Sequence, residues 1–125
     1  MNPRDFLQTA NNLSTSKYEA DMRSCISRAY YAALHTAFDA LPEDRKPNLK
    51  SHDSSSHSKI IGAYDGWSKV PGHHRTDKRL IKEALVSIKK LRKQADYELD
   101  EPILRDHVVD SLDHAGEIIA LATSL

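Results

Sequence analysis

Apolar residues along this chain recur at steps of three and four, and no stretch alternates with the period of two that a half-buried strand requires. The longest periodic run is residues 16–41. Met22, Ile26, Ala29, Ala33 and Ala37 fall there on one helical stripe, whose alanines allow a second helix to approach closely. Ser16 followed three residues later by Glu19 reads as a capping box for its start, and Pro42 marks its end. Residues 3–13 predict a short first helix, with Pro3 in its first turn and Phe6, Ala10 and Leu13 facing inward. Between Pro42 and Pro47 lies Glu43-Asp44-Arg45-Lys46, too polar and broken to be an element and so expected as a surface loop. Asp53, Ser54, Ser55 and Ser56 offer N-caps for a third helix containing Ile60, Ile61, Tyr64 and Trp67, which Pro71-Gly72 terminates. A fourth helix is expected over residues 76–98. Its core stripe is Leu80 or Ile81, Ala84 or Leu85, Ile88, Leu91 and Ala95, with lysines crowding the remainder. Asp100 as cap and Pro102 in the first turn open a fifth, with Leu104, Val108, Leu112, Ala115, Ile119 and Ala122 inward. Five helices with short connections and wide apolar stripes predict an all-α protein, an antiparallel helical bundle around one core.

A length of 125 residues fits a single domain, 1–125. The formal charge is zero, 18 Lys+Arg against 18 Asp+Glu, so the balance itself points to neither a nucleic-acid binder nor a binder of acidic substrates. The distribution changes that picture. Residues 75–93 carry eight basic and two acidic side chains, and residues 94–125 carry one basic and eight acidic, which makes the fourth helix a cationic face. Cys25 is the one cysteine, expected as a small buried side chain, and no intramolecular disulfide is possible. After Met1 the chain opens Asn2-Pro3-Arg4-Asp5 without an apolar leader, and nowhere does it offer ~20 consecutive apolar residues. A cytoplasmic protein without a membrane span is therefore expected.

On the second helix a further line runs through Arg28, Tyr31, His35 and Asp39. Seven residues turn a helix by ~700°, about 20° short of two turns, so Arg28 and His35 point the same way with their backbones ~10.5 Å apart. Two readings stand at this point: Arg28 pairs with a carboxylate or an aromatic rim while His35 packs at the core edge, or the two act together on a substrate. Tyr30 and Tyr31 point ~100° apart, one into the core and one toward the Arg28 line. His107, Asp110 and His114 share a face of the fifth helix, but three ligands from one acidic, solvated helix do not close a metal site, and no metal or cofactor is expected. His52, His57, His73 and His74 read as ordinary surface or capping histidines. With only four glycines and no glycine-rich loop, a phosphate-binding loop or Rossmann site is excluded. Nucleophilic hydrolase chemistry is disfavoured because Cys25 and its neighbouring serines lie within a helix.

Ser27-Arg28-Ala29-Tyr30-Tyr31-Ala32-Ala33-Leu34-His35, followed much later by Leu91-Arg92-Lys93-Gln94-Ala95-Asp96-Tyr97, resembles the two sequence hallmarks of HEPN domains of the subgroup with a Tyr-Tyr-Ala signature. Ser56-His57-Ser58 is similar to what that subgroup carries between them. The resemblance covers nearly the whole chain. It implies an up-and-down helical bundle of four main helices plus one short helix. It also implies a metal-independent endoribonuclease of toxin–antitoxin or phage-defence type, with Arg28 holding phosphate and His35 carrying a proton. The chemistry is consistent with those residue types, since imidazole moves protons near neutral pH and guanidinium grips phosphate oxygens in pairs. Tyr31 is then a candidate for stacking on a base, Asp96 for orienting Arg28, and Lys78, Lys82, Lys89 and Lys93 for tracking an RNA backbone. A homodimer through the second helix is implied. The alternatives are a non-catalytic HEPN module that binds nucleotide or serves as antitoxin beside a small nucleotidyltransferase, and a structural subunit that only pairs with another chain.

Overall fold

The computed structural model describes residues 1–49 and 55–125. Its helices are α1 (Arg4–Leu13), α2 (Glu19–Ala40), α3 (Ser55–Ser68), α4 (Arg75–Tyr97) and α5 (Arg105–Thr123). They form an up-and-down bundle in which α1 is the short member, and no strand occurs among the described residues. No described helix is long and apolar enough to cross a membrane. The fold follows from α2, which packs against each of the other four helices. Cys25, Ile26, Ala29, Ala33 and Ala37 are fully buried on it, and Met22 is half-buried at its entry. Small side chains at these positions let α1, α4 and α5 come close on different sides of one axis. Cys25 donates its thiol to the Ala10 carbonyl at 3.1 Å, and burial pushes its pKa up, so it is packing material and not a nucleophile.

The remaining core comes from the predicted stripes. Ile60 and Tyr64 of α3, Ile81, Ala84, Leu85, Ile88 and Ala95 of α4, and Val108, Ala115, Ile119 and Ala122 of α5 are buried. Ile118 joins them, and Tyr64 donates its hydroxyl to the Ala37 carbonyl at 2.6 Å. Gly72 takes φ 144° between α3 and α4, a backbone that residues with a Cβ rarely adopt.

Several local expectations are corrected. Ser16 and Glu19 do not form a capping box: Ser16 Oγ donates to Asp21 at 2.6 Å and accepts from the Tyr18 amide at 3.2 Å. Glu19 points the other way and accepts from the Ile103 amide at 3.1 Å and from Arg23 at 3.0 Å, contacts that hold its carboxyl below the usual carboxylate range. The charged loop contains a 3-10 turn, Glu43–Arg45, stabilised by a Lys46–Glu43 ion pair at 2.8 Å. The fifth helix starts after Leu104 rather than at Asp100, and Leu104 is exposed instead of inward. Its cap is His107, whose Nδ1 accepts the Leu104 amide at 2.9 Å. N-caps proposed at Asp53 and Ser54 lie outside the described residues.

One long-range clamp closes the bundle at this end. Arg23 of α2 donates from Nη1 to the carbonyls of Gln94 at 3.0 Å and Ala95 at 2.9 Å, and from Nη2 to Glu101 at 2.5 Å. The Gln94 carbonyl also accepts the Glu98 amide at 3.2 Å, and a cation at this last turn of α4 is favoured by the helix dipole as well. With its side chain only 12% exposed, Arg23 joins three segments. Arg23→Ala should lower the unfolding free energy by about 1.5–3 kcal/mol in urea denaturation followed by circular dichroism. Arg23→Lys should recover only part, since it keeps the charge and loses the planar fork.

Candidate functional site

The ~100° between adjacent helical residues divides the tyrosine pair of α2 as the sequence predicts. Tyr30 is fully buried, and burial pushes its hydroxyl pKa up. Tyr31 is half-buried and meets Phe6 of α1, His57 of α3 and Arg92 of α4. Arg28, His35 and His57 gather around this one ring.

On one side, Tyr31 and Phe6 lie 6.2 Å apart and form an aromatic shelf. The Arg28 guanidinium stands 5.5 Å from the Tyr31 centroid and 5.4 Å from that of Phe6. His35 stacks on Phe6 at 5.8 Å with 14° between planes, and lies 6.2 Å from Tyr31. Arg28 and His35 therefore share a shelf, as their spacing requires. Of the two readings of the pair, the aromatic rim is where Arg28 sits, and no carboxylate among the described residues pairs with it. His35 is exposed rather than packed at the core edge.

The other side is built by Arg92. Its Nε donates to Asp96 at 2.9 Å, and its Nη2 donates to the hydroxyls of Tyr31 at 3.0 Å and Tyr97 at 3.3 Å. The guanidinium carbon lies 5.1–5.6 Å from the ring centroids of Tyr30, Tyr31 and Tyr97. Asp96 accepts a further bond from Ser27 at 3.2 Å. The carboxylate proposed to orient Arg28 thus holds Arg92 instead, because the two sit one turn apart on α4 while Arg28 is on another helix. Signals for this arrangement were present in the Arg92/Asp96 spacing of four residues.

His57, read from sequence as an ordinary surface or capping residue, is half-buried against both tyrosines. Its ring centroid is 5.4 Å from Tyr30 and 5.9 Å from Tyr31, the latter edge to face at 81°. Burial first, then the charges of Arg92, Lys89 and His35, push its pKa below the ordinary histidine value. Beside it a cavity of about 750 Å³ opens between α3 and α4, lined by His57, Lys89, Lys90, Arg92, Lys93 and Tyr97 with apolar surface from Ile61 and Val86. No carboxylate among the described residues lines it.

The single track of four lysines is corrected. Lys89 and Lys93 line this cavity, with Lys89 donating to Ser58 at 2.9 Å. Lys78 is 8% exposed, its ammonium 4.3 Å from the Trp67 centroid. Lys82 faces Asp65 at 3.8 Å in a separate depression. A helix 23 residues long turns through more than six revolutions, so lysines spread along it cannot all meet one ligand. Elsewhere, His107 of the His107, Asp110 and His114 face is taken up as the α5 cap, and no group of three or more His, Cys, Asp or Glu side chains suited to a metal ion occurs among the described residues.

No protein-family model matches this chain, and neither does any curated protein or solved structure.

Because His57 is harder to protonate in the folded chain than in the unfolded one, its contribution to stability is complete above about pH 6.5 and is lost as pH falls toward the lower folded value. Melting temperature measured between about pH 7 and 5 should fall less steeply for His57→Gln than for wild type.

Proposed function

We propose that this chain is a small RNA-targeting helical protein of HEPN type, cytoplasmic, that cleaves RNA without a metal ion. One observation carries this reading: a guanidinium without a carboxylate partner among the described residues and an exposed imidazole occupy the same aromatic shelf, next to a cation-lined cavity. Three segments that resemble HEPN hallmarks in sequence, around residues 27–35, 56–58 and 91–97, supply this one site, which a chance resemblance would not require.

Transesterification of RNA needs a proton moved at the 2′-hydroxyl or the leaving 5′-oxygen, and a cation against the charge of the phosphorane. His35 is open to substrate, and Arg28 is free to leave its ring contacts for phosphate oxygens. The Phe6/Tyr31 shelf offers a base a stacking surface, and Lys89 and Lys93 attract the backbone. Self-association through α2 belongs to the same reading, with a narrow strip available to it: Glu19, Ala20, Ser24, His35 and Asp39 are the exposed residues of that helix.

The cavity favours one other reading. Its volume of about 750 Å³ lies within the ~300–1,000 Å³ usual for small-ligand sites, and its cations suit a phosphate. A non-catalytic nucleotide-binding module, partnering a small nucleotidyltransferase or acting as antitoxin, would use it without cleaving.

Purified protein incubated with single-stranded RNA and chelator should yield 2′,3′-cyclic phosphate ends and leave an all-2′-deoxy strand intact. His35→Ala should cut the rate by ~10²–10⁴ with an unchanged melting temperature, since the residue is exposed. Arg28→Lys should not restore what Arg28→Ala loses. Undiminished cleavage by His35→Ala would remove the pair from the chemistry; no cleavage by wild type together with saturable nucleotide binding would favour the binding module.

Neutralising Lys89 and Lys93 should lower the salt dependence of RNA affinity by about 1.4 units of slope at most, at ~0.7 per phosphate contact on a single strand. The same change at Lys78 should leave the slope unaltered and lower stability instead, because its stem and ammonium are packed on Trp67. Filter binding at several salt concentrations and thermal melts separate the two.

A further inference from the structure

The ribonuclease reading leaves a chemical gap. Cleavage by internal attack takes a proton from the 2′-hydroxyl and delivers one to the departing 5′-oxygen, and one imidazole in one position serves both ends poorly. The Tyr31 ring supplies a second. His35 stacks on it at 27° and 6.2 Å, and His57 meets it edge-on at 81° and 5.9 Å. The imidazoles come from different helices, α2 and α3, so the pair exists only in the folded chain.

We infer that His57 is the second proton carrier of this site, acting on RNA together with His35 across the Tyr31 ring, so that a single chain supplies both imidazoles. The inference rests on the ribonuclease reading and deepens it. His57 accepts the 2′-hydroxyl proton as the 2′-oxygen bonds to phosphorus; the bond from phosphorus to the 5′-oxygen breaks, and His35 delivers its proton to that oxygen. Products are a 2′,3′-cyclic phosphate and a 5′-hydroxyl end, and the imidazoles finish with their protonation exchanged, so no other reactant is consumed.

The surroundings assign the base role to His57 rather than His35. The groups facing His57 are Tyr30, Tyr31 and His35 from α2, and Lys89 and Arg92 from α4, with Lys90, Lys93 and Tyr97 around the adjoining cavity. None of these is a carboxylate, and burial first, then the charges of Arg92, Lys89 and His35, favour a neutral ring ready to take a proton. His35 stands exposed on the Phe6 shelf, reachable by a leaving oxygen and by solvent for proton return. Arg28 lies by the same Tyr31 ring, on the Phe6 side that it shares with His35.

The decisive measurement is the pH dependence of kcat/KM on a short uridine-containing RNA in chelator, for wild type, His57→Gln and His35→Gln. Wild type should give a bell. His57→Gln should lose ~10²–10⁴ in rate and the acidic limb, which reports the base; His35→Gln should lose the basic limb, which reports the acid. Equimolar mixing of the two inactive variants should restore nothing if each chain carries a complete pair. A folded His57→Gln that retains both limbs and a rate near wild type overturns the role of His57 while leaving cleavage by Arg28 and His35 standing. Should His57→Gln not fold, the wild-type protein decides by NMR: titration with uridine 3′-monophosphate should shift the ring resonances of both histidines and raise their pKa values. A His57 that ignores the ligand overturns the inference, and a wild type that cleaves no RNA overturns it along with the reading beneath it.

Discussion

The ion pair between Arg92 and Asp96 is the contact on which the candidate site depends. Asp96 takes Arg92 Nε at 2.9 Å and the Ser27 hydroxyl of α2 at 3.2 Å, so one carboxylate orients the guanidinium and ties α4 to α2. The guanidinium then presents its outer nitrogen to the Tyr31 and Tyr97 hydroxyls. Without Asp96, a guanidinium only 15% exposed would lie among three tyrosine rings with no counter-charge, an arrangement that desolvation opposes. Tyr31 in turn sets where Phe6, His35, Arg28 and His57 lie.

The two arginines of the site are held with different strengths, and that difference separates their roles. Among the described residues Arg28 has only ring contacts, which at a partly open position are worth ~0.5–1 kcal/mol. Arg92 has three hydrogen bonds, one to a carboxylate, and bonds to charged groups are worth ~1.5–3 kcal/mol. A phosphate can therefore draw Arg28 away at little cost, whereas moving Arg92 would dismantle the wall of the cavity. The weaker-held cation is the one suited to a substrate, and the firmly held one to shaping the place where it binds.

Charge along α4 is apportioned in the same way. A near-neutral protein concentrates its cations on this helix, yet its turns send Lys78 onto Trp67, Lys82 toward Asp65, and Lys89 and Lys93 into the cavity with Arg92. The local field at the cavity is far more positive than the net charge of the chain, and it adds to burial in lowering the pKa of His57. At the other end of the site, Arg23 caps α4 and holds the link to α5 against α2, so the helix carrying these cations is tied to α2 both along its length and at its end.

Periodicity alone determined the helical bundle, the core stripes apart from Leu104 before α5, and the common face of Arg28 and His35, because each is a consequence of 3.6 residues per turn acting within one segment. It also divided Tyr30 from Tyr31. What it did not determine is everything that joins segments: Glu19 serving Ile103 and Arg23 rather than Ser16, Asp96 choosing Arg92 over Arg28, Lys78 turning under Trp67, and His57 arriving beside Tyr31. A polar side chain has several possible partners of similar intrinsic strength, and which one it takes is decided by the distances that packing imposes, not by the residues next to it in the chain. The helices were legible because their hydrogen bonds are local; the site was not, since its members lie up to 91 positions apart, from Phe6 to Tyr97, and meet only when the alanine-lined α2 lets its neighbours close around it.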